Sequence, residues 1–357
     1  MNIYGGRYEA RHGTFSGGAG IVEVCADTNL DRLVAIKFLH GNTERRRIQD
    51  EVAALQRIRS KNVVDVYDIV IAQPNNRVGI VQEYLPGQDL AEFTETPIDN
   101  DSFFRSLFQL SNGLTDIHDQ GLIHRDIKLN NLKFNAEMIL KIFDFNLSRD
   151  RNNATTIGFR GTVGYAAPEL YNSAVVSLTH HIDIYALAIS ALLLRSSSLP
   201  PELSSIPPEP DKWVANGGFA SQGLPAELTQ LLNAALAADP RRRPEARDIR
   251  SCLAGILLRG RHRALIMANG QTHRMDTTRP VVRLAHPSVA SCWIELSYSG
   301  TQFLVKRTGS DVWLNNQAIV GGSSIPGACV IALGGPQLPP QQRVFITVDL
   351  SHPEVVL

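Results

Sequence analysis

Lys37 lies in the run LVAIKFL, where strand alternation sets it on one face with Leu33, Ala35 and Leu39. An unpaired ammonium on an apolar face is costly to desolvate, so an anionic partner is expected. Glu51 is the nearest candidate, because it shares helical spacing with Ile48, Val52 and Leu55 and so turns toward the same core. A structural salt bridge would account for these two residues alone. Further along, HRDIKLNN at residues 124–131 packs Asp126, Lys128 and Asn131 into one short segment, and LKIFDFN ends an apolar run on Asp144. An amide oxygen from Asn131 and a carboxylate from Asp144, with phosphate and water oxygens, would complete the shell that magnesium prefers. Asp126 is then free to accept a hydroxyl proton. The residue types point to phosphoryl transfer.

These residues need elements to hold them. The first ninety residues read as short, β-branched strands such as LVAIKFL and VGIVQEYL, with one helix near residues 44–59 carrying Ile48, Val52, Leu55 and Ile58 on a single stripe. After Leu90 the texture turns helical. Phe103, Phe104, Leu107, Leu110, Leu114 and Ile117 repeat with helical period up to Gly121, whose freedom at positive φ suits a helix stop. Residues 196–226 are rich in proline and serine and read as a surface connection between helices of the same lobe, with helical signal resuming at Leu231–Leu236 and Ile249–Leu258. Past the basic RGRHR, Arg259–Arg263, the pattern is all β, with runs at Val281–Leu284, Trp293–Ser297, Phe303–Arg307, Val330–Leu333 and Val344–Val348 punctuated by glycines.

With VAIK at 34–37, Glu51, HRDIKLNN, DFN and AAPE in order, the chain resembles a eukaryotic-type protein kinase over about residues 8–258. The resemblance implies an α+β fold of two lobes, a β-rich one at 8–84 and a helical one at 85–258. A basic linker at 259–265 and an all-β sandwich at 266–357 follow. It implies ATP and Mg2+ as cofactors, with Lys37 on the α- and β-phosphates, held by Glu51, and Asp126 as catalytic base. Lys128 would neutralise the transferring phosphoryl group, and Asn131 and Asp144 would ligate the metal. Lysine two places after the base resembles the Ser/Thr class, so the implied substrates are protein Ser and Thr hydroxyls. The nucleotide would lie under Gly17, Gly18, Gly20 and Val22 and against Ala35, with adenine on the backbone of the hinge from Glu83 to Leu85, just after Gln82. Thr162 in GTVGYAAPE would meet the catalytic loop, while Glu169, Arg243 and Asp183 are implied to be structural.

Two departures bear on activity. In the glycine-rich loop Phe15 stands where the first glycine is expected, and Asn146 replaces the glycine that follows Asp-Phe, although asparagine tolerates positive φ better than other side chains. These departures frame the alternative, a pseudokinase scaffold that binds nucleotide and docks partners. A small-molecule phosphotransferase would not need GTVGYAAPE or Arg243. Arg125, just before the base, together with Thr155 and Thr156 among Arg149, Arg151 and Arg160, suggests an activation segment that accepts phosphate.

From Arg274 to Leu350 the texture is similar to a forkhead-associated domain: RLAHPSVASCWIEL resembles its central segment and VWLNNQAI its asparagine turn. Only Arg274 and Asn315 survive from the phosphothreonine grip, since Ala290 and Trp293 occupy the serine and histidine positions. A protein-docking sandwich, with a phosphoprotein as one kind of partner, is therefore expected.

At 357 residues the chain has length for several packed units. Its 35 basic and 35 acidic residues cancel, so no overall field draws it to nucleic acid or to anionic membranes. No apolar stretch approaches the roughly 20 residues that span a bilayer, and Cys25, Cys252, Cys292 and Cys329 form no CxxC pair. A cytoplasmic location is the expectation.

Overall fold

The computed structural model describes residues 2–17, 20–38, 52–53, 55–73, 76–95, 98–145, 155–156, 162–171, 176–177 and 179–354. They form two compact units, Met1–Cys252 and Leu253–Leu357.

The first unit opens with a six-stranded antiparallel sheet: β1 (Ile3–Tyr4), β2 (Tyr8–Gly17), β3 (Gly20–Asp27), β4 (Arg32–Phe38), β5 (Val66–Ala72) and β6 (Arg77–Glu83), in the order β1-β2-β3-β4-β6-β5. Register explains its two faces. Val22, Lys37 and Ile80 stand opposite one another across β3, β4 and β6, and Val24, Ala35 and Gln82 do so two residues away, so all six share one side. Cys25, Val34, Ile36, Phe38 and Val81 alternate onto the other side, where they close a core with Tyr4, Tyr8 and Val70. Of the residues expected beside Lys37, Ala35 is buried, whereas Leu33, near the start of β4, is 49% exposed. Leu39 lies outside the described residues, as do Ile48 and most of the helix expected near 44–59. In its described part the helix runs only to Leu55, short of the expected 59: Val52 and Leu55 are buried on it, Ile58 is buried beyond a turn, and Val52 packs with Ile80 on the Lys37 face.

The helical lobe follows. Helix α1 (Asn100–Asp119) is capped by Asp99, whose carboxylate accepts from the Ser102 amide at 3.0 Å. It buries Phe103, Leu107, Leu110, Leu114 and Ile117 and stops before Gly121, which sits at φ 66° and donates its amide to the His118 carbonyl. The hairpin β7 (Leu132–Phe134) and β8 (Leu140–Ile142) packs on α1, and a short pair joins β9 (Thr155–Thr156) to β10 (Val176–Ser177). Helix α2 (His181–Ser196) is buried almost throughout, as its apolar run requires. The proline-rich stretch carries two short helices, α3 (Pro201–Ser204) and α4 (Pro210–Ala215), each with proline in its first turn, before α5 (Ala226–Ala235) and α6 (Ala246–Leu258). The two compact units divide within α6, after Cys252.

Gly113 fixes how closely α1 approaches the hairpin. A Cβ there would meet Ile142 Cδ1 at 2.7 Å and the Asn62 carbonyl oxygen at 2.9 Å. Gly113→Ala is therefore expected to destabilise, because overpacking costs about 1–3 kcal/mol against a helix-propensity gain of about 1 kcal/mol. Urea unfolding checks this, and a midpoint at or above wild type would contradict the packing account.

The second unit is all antiparallel. A six-stranded sheet contains β11 (Ala264–Ala268), β12 (Gln271–Met275), β16 (Val312–Leu314), β17 (Gln317–Ala318), β18 (Cys329–Leu333) and β19 (Val344–Leu350). A three-stranded sheet contains β13 (Val281–Ala285), β14 (Trp293–Tyr298) and β15 (Phe303–Thr308). Ile266, Ile331 and Ile346 from the first meet Ile294, Leu296 and Val305 from the second in one core, so the unit is a sandwich. The five strands legible in the sequence all form. β11, β12, β16 and β17 went unread: β11 (ALIMA) is apolar without alternation, β12 (QTHRM) is polar nearly throughout, and β16 and β17 are only three and two residues long.

Candidate active site

The cleft is assembled from side chains far apart in the chain. Lys37, next to the end of β4 and almost fully buried, donates its Nζ to the Asp144 carboxylate. Asp144 reaches back because it leaves β8 at φ 64°, a left-handed turn that costs a non-glycine residue and persists only where the surroundings enforce it. Phe145, next to it, is buried with its ring 4.6 Å from that of His124. Asn131 and Asp144 emerge at the same end of the hairpin, since Leu132 pairs with Ile142 and the Phe143 amide donates to the Asn131 carbonyl at 3.1 Å.

Asp126 is held from three sides. Asn131 Nδ2 donates to its Oδ2 at 3.0 Å and to its carbonyl at 2.8 Å, Lys128 Nζ lies 2.9 Å from Oδ2, and the Thr162 hydroxyl donates to Oδ1 at 2.9 Å. Lys128 also reaches Thr162 Oγ1 at 3.3 Å. The loop backbone is fixed from below. Asp183 on α2, 1% exposed, accepts from the amides of His124 and Arg125 at 2.9 and 2.8 Å and from His118 Nε2 at 3.0 Å. Burial alone would raise the Asp183 carboxyl, but the His118 N–H and the His124 amide outweigh it and keep the group below its ordinary range. Arg125 can thereby hold φ 72°. His124 donates from Nε2 to the Phe143 carbonyl at 3.0 Å and accepts the Asp126 amide on Nδ1 at 3.3 Å. Burial lowers its pKa, so it serves as a neutral strut between the catalytic loop and the strand that delivers Asp144.

Glu83 at the hinge donates its amide to the Asp65 carbonyl at 2.9 Å, while its carboxylate is 2.8 Å from the buried Lys141 ammonium. Leu85 and Ala35 are buried, Val22 is half-buried, and Gly17 pairs with Gly20 at the end of the β2–β3 hairpin, with Phe15 paired to Val22 two residues further in. Glu51, Gly18 and Asn146 lie outside the described residues, as do Arg149, Arg151 and Arg160 and the side chains of Thr155 and Thr156. Arg243, fully buried, forms a two-pronged pair with Glu169 at 2.7 Å on each arm.

Sequence reasoning missed His118, His124 and Lys141 as supports. Only Lys141 left a trace, as a lone cation between Leu140 and Ile142 in an apolar strand.

A buried lysine on a sheet face bonded to an acid at a hairpin end, beside a carboxylate ringed by lysine, asparagine and threonine, defines a phosphotransferase cleft between two lobes. Residues 12–252 match the protein kinase domain family, and the chain belongs to it. Among curated relatives, the serine/threonine-protein kinase Nek8 of Danio rerio is 28% identical over 257 residues, covering 68% of this chain and 36% of its own length. Cds1 of Schizosaccharomyces pombe is 30% identical over 210 residues, covering 54% of this chain and 45% of its own. The serine/threonine-protein kinase drp72 of Corynebacterium efficiens is 31% identical over 251 residues, covering 64% and 46%. The chain thus matches less than half the length of these relatives.

Proposed function

We propose that this chain transfers the γ-phosphate of ATP to Ser and Thr hydroxyls of protein substrates. The observation that carries this reading is the convergence of Lys37, Asp126, Lys128, Asn131 and Asp144 on one cleft, tied by the bonds described above. The donors fit the implied cofactor: a carboxylate and an amide oxygen, both hard ligands, leave the same end of one hairpin. Magnesium held by Asn131 and Asp144 would offset the negative charge of the phosphates. Lys37 would hold the α- and β-phosphates, with its strand position set by the β3–β4–β6 register. Asp126 would orient the attacking hydroxyl and accept its proton, while Lys128, already against it, would neutralise charge on the phosphoryl oxygens. In this reading Thr155 and Thr156 are the activation-segment acceptors.

For the second unit we infer a protein-docking role. Arg274 donates to Asp276 at 2.9 Å and Asn315 accepts the Val330 amide at 3.0 Å, so each of the two residues surviving from a phosphothreonine grip already serves its own turn. All four cysteines are free and buried, which suits the reducing cytoplasm we infer for the chain.

The test is incubation of the full chain with γ-labelled ATP, magnesium and a generic Ser/Thr substrate, followed by phosphoamino-acid analysis, beside Lys37→Met. Label on Ser and Thr from wild type, with loss of at least about a hundredfold in the variant, is expected where positioning and electrostatics supply the catalysis. Nucleotide binding without any transfer would instead support the scaffold alternative. Comparing Thr155→Ala/Thr156→Ala in the same assay reads the activation segment.

A further inference from the structure

A second group of titratable side chains lies away from the cleft, where the starts of α2 and α6 meet. His180 precedes α2, His181 opens it, and Glu245 precedes α6. His180 Nε2 lies 3.0 Å from Glu245 Oε2, and His181 Nε2 lies 3.8 Å from Glu245 Oε1. Ligand atoms of all three residues fall within 4.8 Å of one another. The two imidazole rings are 4.2 Å apart between centroids.

A proton does not account for this arrangement well. One carboxylate can discharge one imidazolium, and a second protonated ring at that distance would repel the first. A divalent cation placed between the two Nε2 atoms and the carboxylate would use all three groups at once. His181 Nδ1 lies 3.1 Å from the Thr179 hydroxyl, a contact that orients the ring with Nε2 toward Glu245.

A separate observation points the same way. His118, whose ring is 5.1 Å from that of His180, is only 7% exposed and spends Nε2 on Asp183, while its Nδ1 has no hydrogen-bond partner among the described residues. A buried nitrogen without a partner calls for an explanation. A water carried on an ion at the neighbouring site would supply one. The Arg243 guanidinium donates to the His181 carbonyl at 3.0 Å, and its charge is matched by the two-pronged bond to Glu169.

We propose that His180, His181 and Glu245 form a binding site for a zinc-class divalent cation, with two nitrogens and one carboxylate as ligands and an open position for water. This donor set suits zinc, cobalt or nickel and is poor for magnesium, so the site is chemically distinct from the one at Asn131 and Asp144. A bound ion joins the start of α2 to the start of α6. It sits beside Asp183 and His118, the pair that carries the catalytic loop.

The probe is cobalt(II), added to chelator-stripped full chain in excess magnesium so that the oxygen-rich cleft is saturated. One equivalent is expected to develop visible d–d absorption, to be displaced by zinc in a calorimetric titration, and to raise the thermal unfolding midpoint. Glu245→Gln and His180→Gln, both at partly exposed positions and verified as folded by circular dichroism, should each weaken cobalt binding by at least about tenfold, since removing a ligand costs no less than the 10–100-fold seen for its supports. Absence of d–d absorption, or unchanged affinity in both variants, overturns the proposal. Neither outcome touches the phosphotransfer reading, which uses none of these residues.

Discussion

Asp126→Asn lowers phosphate transfer by about 10²–10⁴-fold, the range typical of a lost general base, while leaving nucleotide affinity within a few-fold of wild type. The carboxylate meets three donors: the Thr162 hydroxyl on one oxygen, and Asn131 Nδ2 and Lys128 Nζ on the other. Thr162 shows the kind of contact a substrate hydroxyl would make, an O–H directed at Oδ1, and that oxygen has a lone pair left for a second such bond. An amide keeps the Thr162 contact through its oxygen but turns an NH2 toward Asn131 and Lys128, where donor now faces donor. It also cannot accept the substrate proton. The Lys37–Asp144 contact does not involve Asp126, so nucleotide binding measured by calorimetry should persist. A variant that transfers phosphate at the wild-type rate would remove Asp126 from the chemistry.

The largest stability effect is expected at Arg243. Its guanidinium has no exposed side-chain surface, and its donors are satisfied by Glu169 on two arms, by the Ala237 carbonyl at 2.9 Å and by the His181 carbonyl at 3.0 Å. The face of Tyr185 lies 5.1 Å from its centre. Arg243→Met fills similar volume but strands the Glu169 carboxylate, which is only 13% exposed, together with two carbonyls. Removing one partner of a buried pair costs about 3–5 kcal/mol. Adding Glu169→Gln should recover part of that loss, because the remaining group no longer carries a charge into a poorly solvated site. Calorimetric unfolding of the single and double variants checks both statements. A loss under about 1 kcal/mol in Arg243→Met, the scale of a surface pair, would mean that the bond is not what joins the end of the activation segment to the helical lobe.

Much of the fold was legible because it is local. Helix α1 follows from the spacing of Phe103, Leu107, Leu110, Leu114 and Ile117 and from Gly121 behind it. The strands of the second unit that alternate cleanly, such as Trp293–Tyr298, could be read directly, whereas Gln271–Met275 could not, because its side chains are mostly exposed or half-buried. For the site, residue types and order sufficed to nominate Lys37, Asp126, Lys128, Asn131 and Asp144. They did not say which acid meets Lys37 among the described residues, for Asp144 is 107 positions away.

By itself the sequence determined an inventory: which ionisable and amide groups exist, in what order, and on which stripe of each element they fall. Tertiary structure decided their partners. His118 and the loop amides converge on Asp183, His124 bridges to Phe143, and His180, His181 and Glu245 come together from positions 65 residues apart. Such contacts depend on how α1, α2 and α6 pack, and periodicity of 2 or 3.6 residues carries no information about a neighbour on another element.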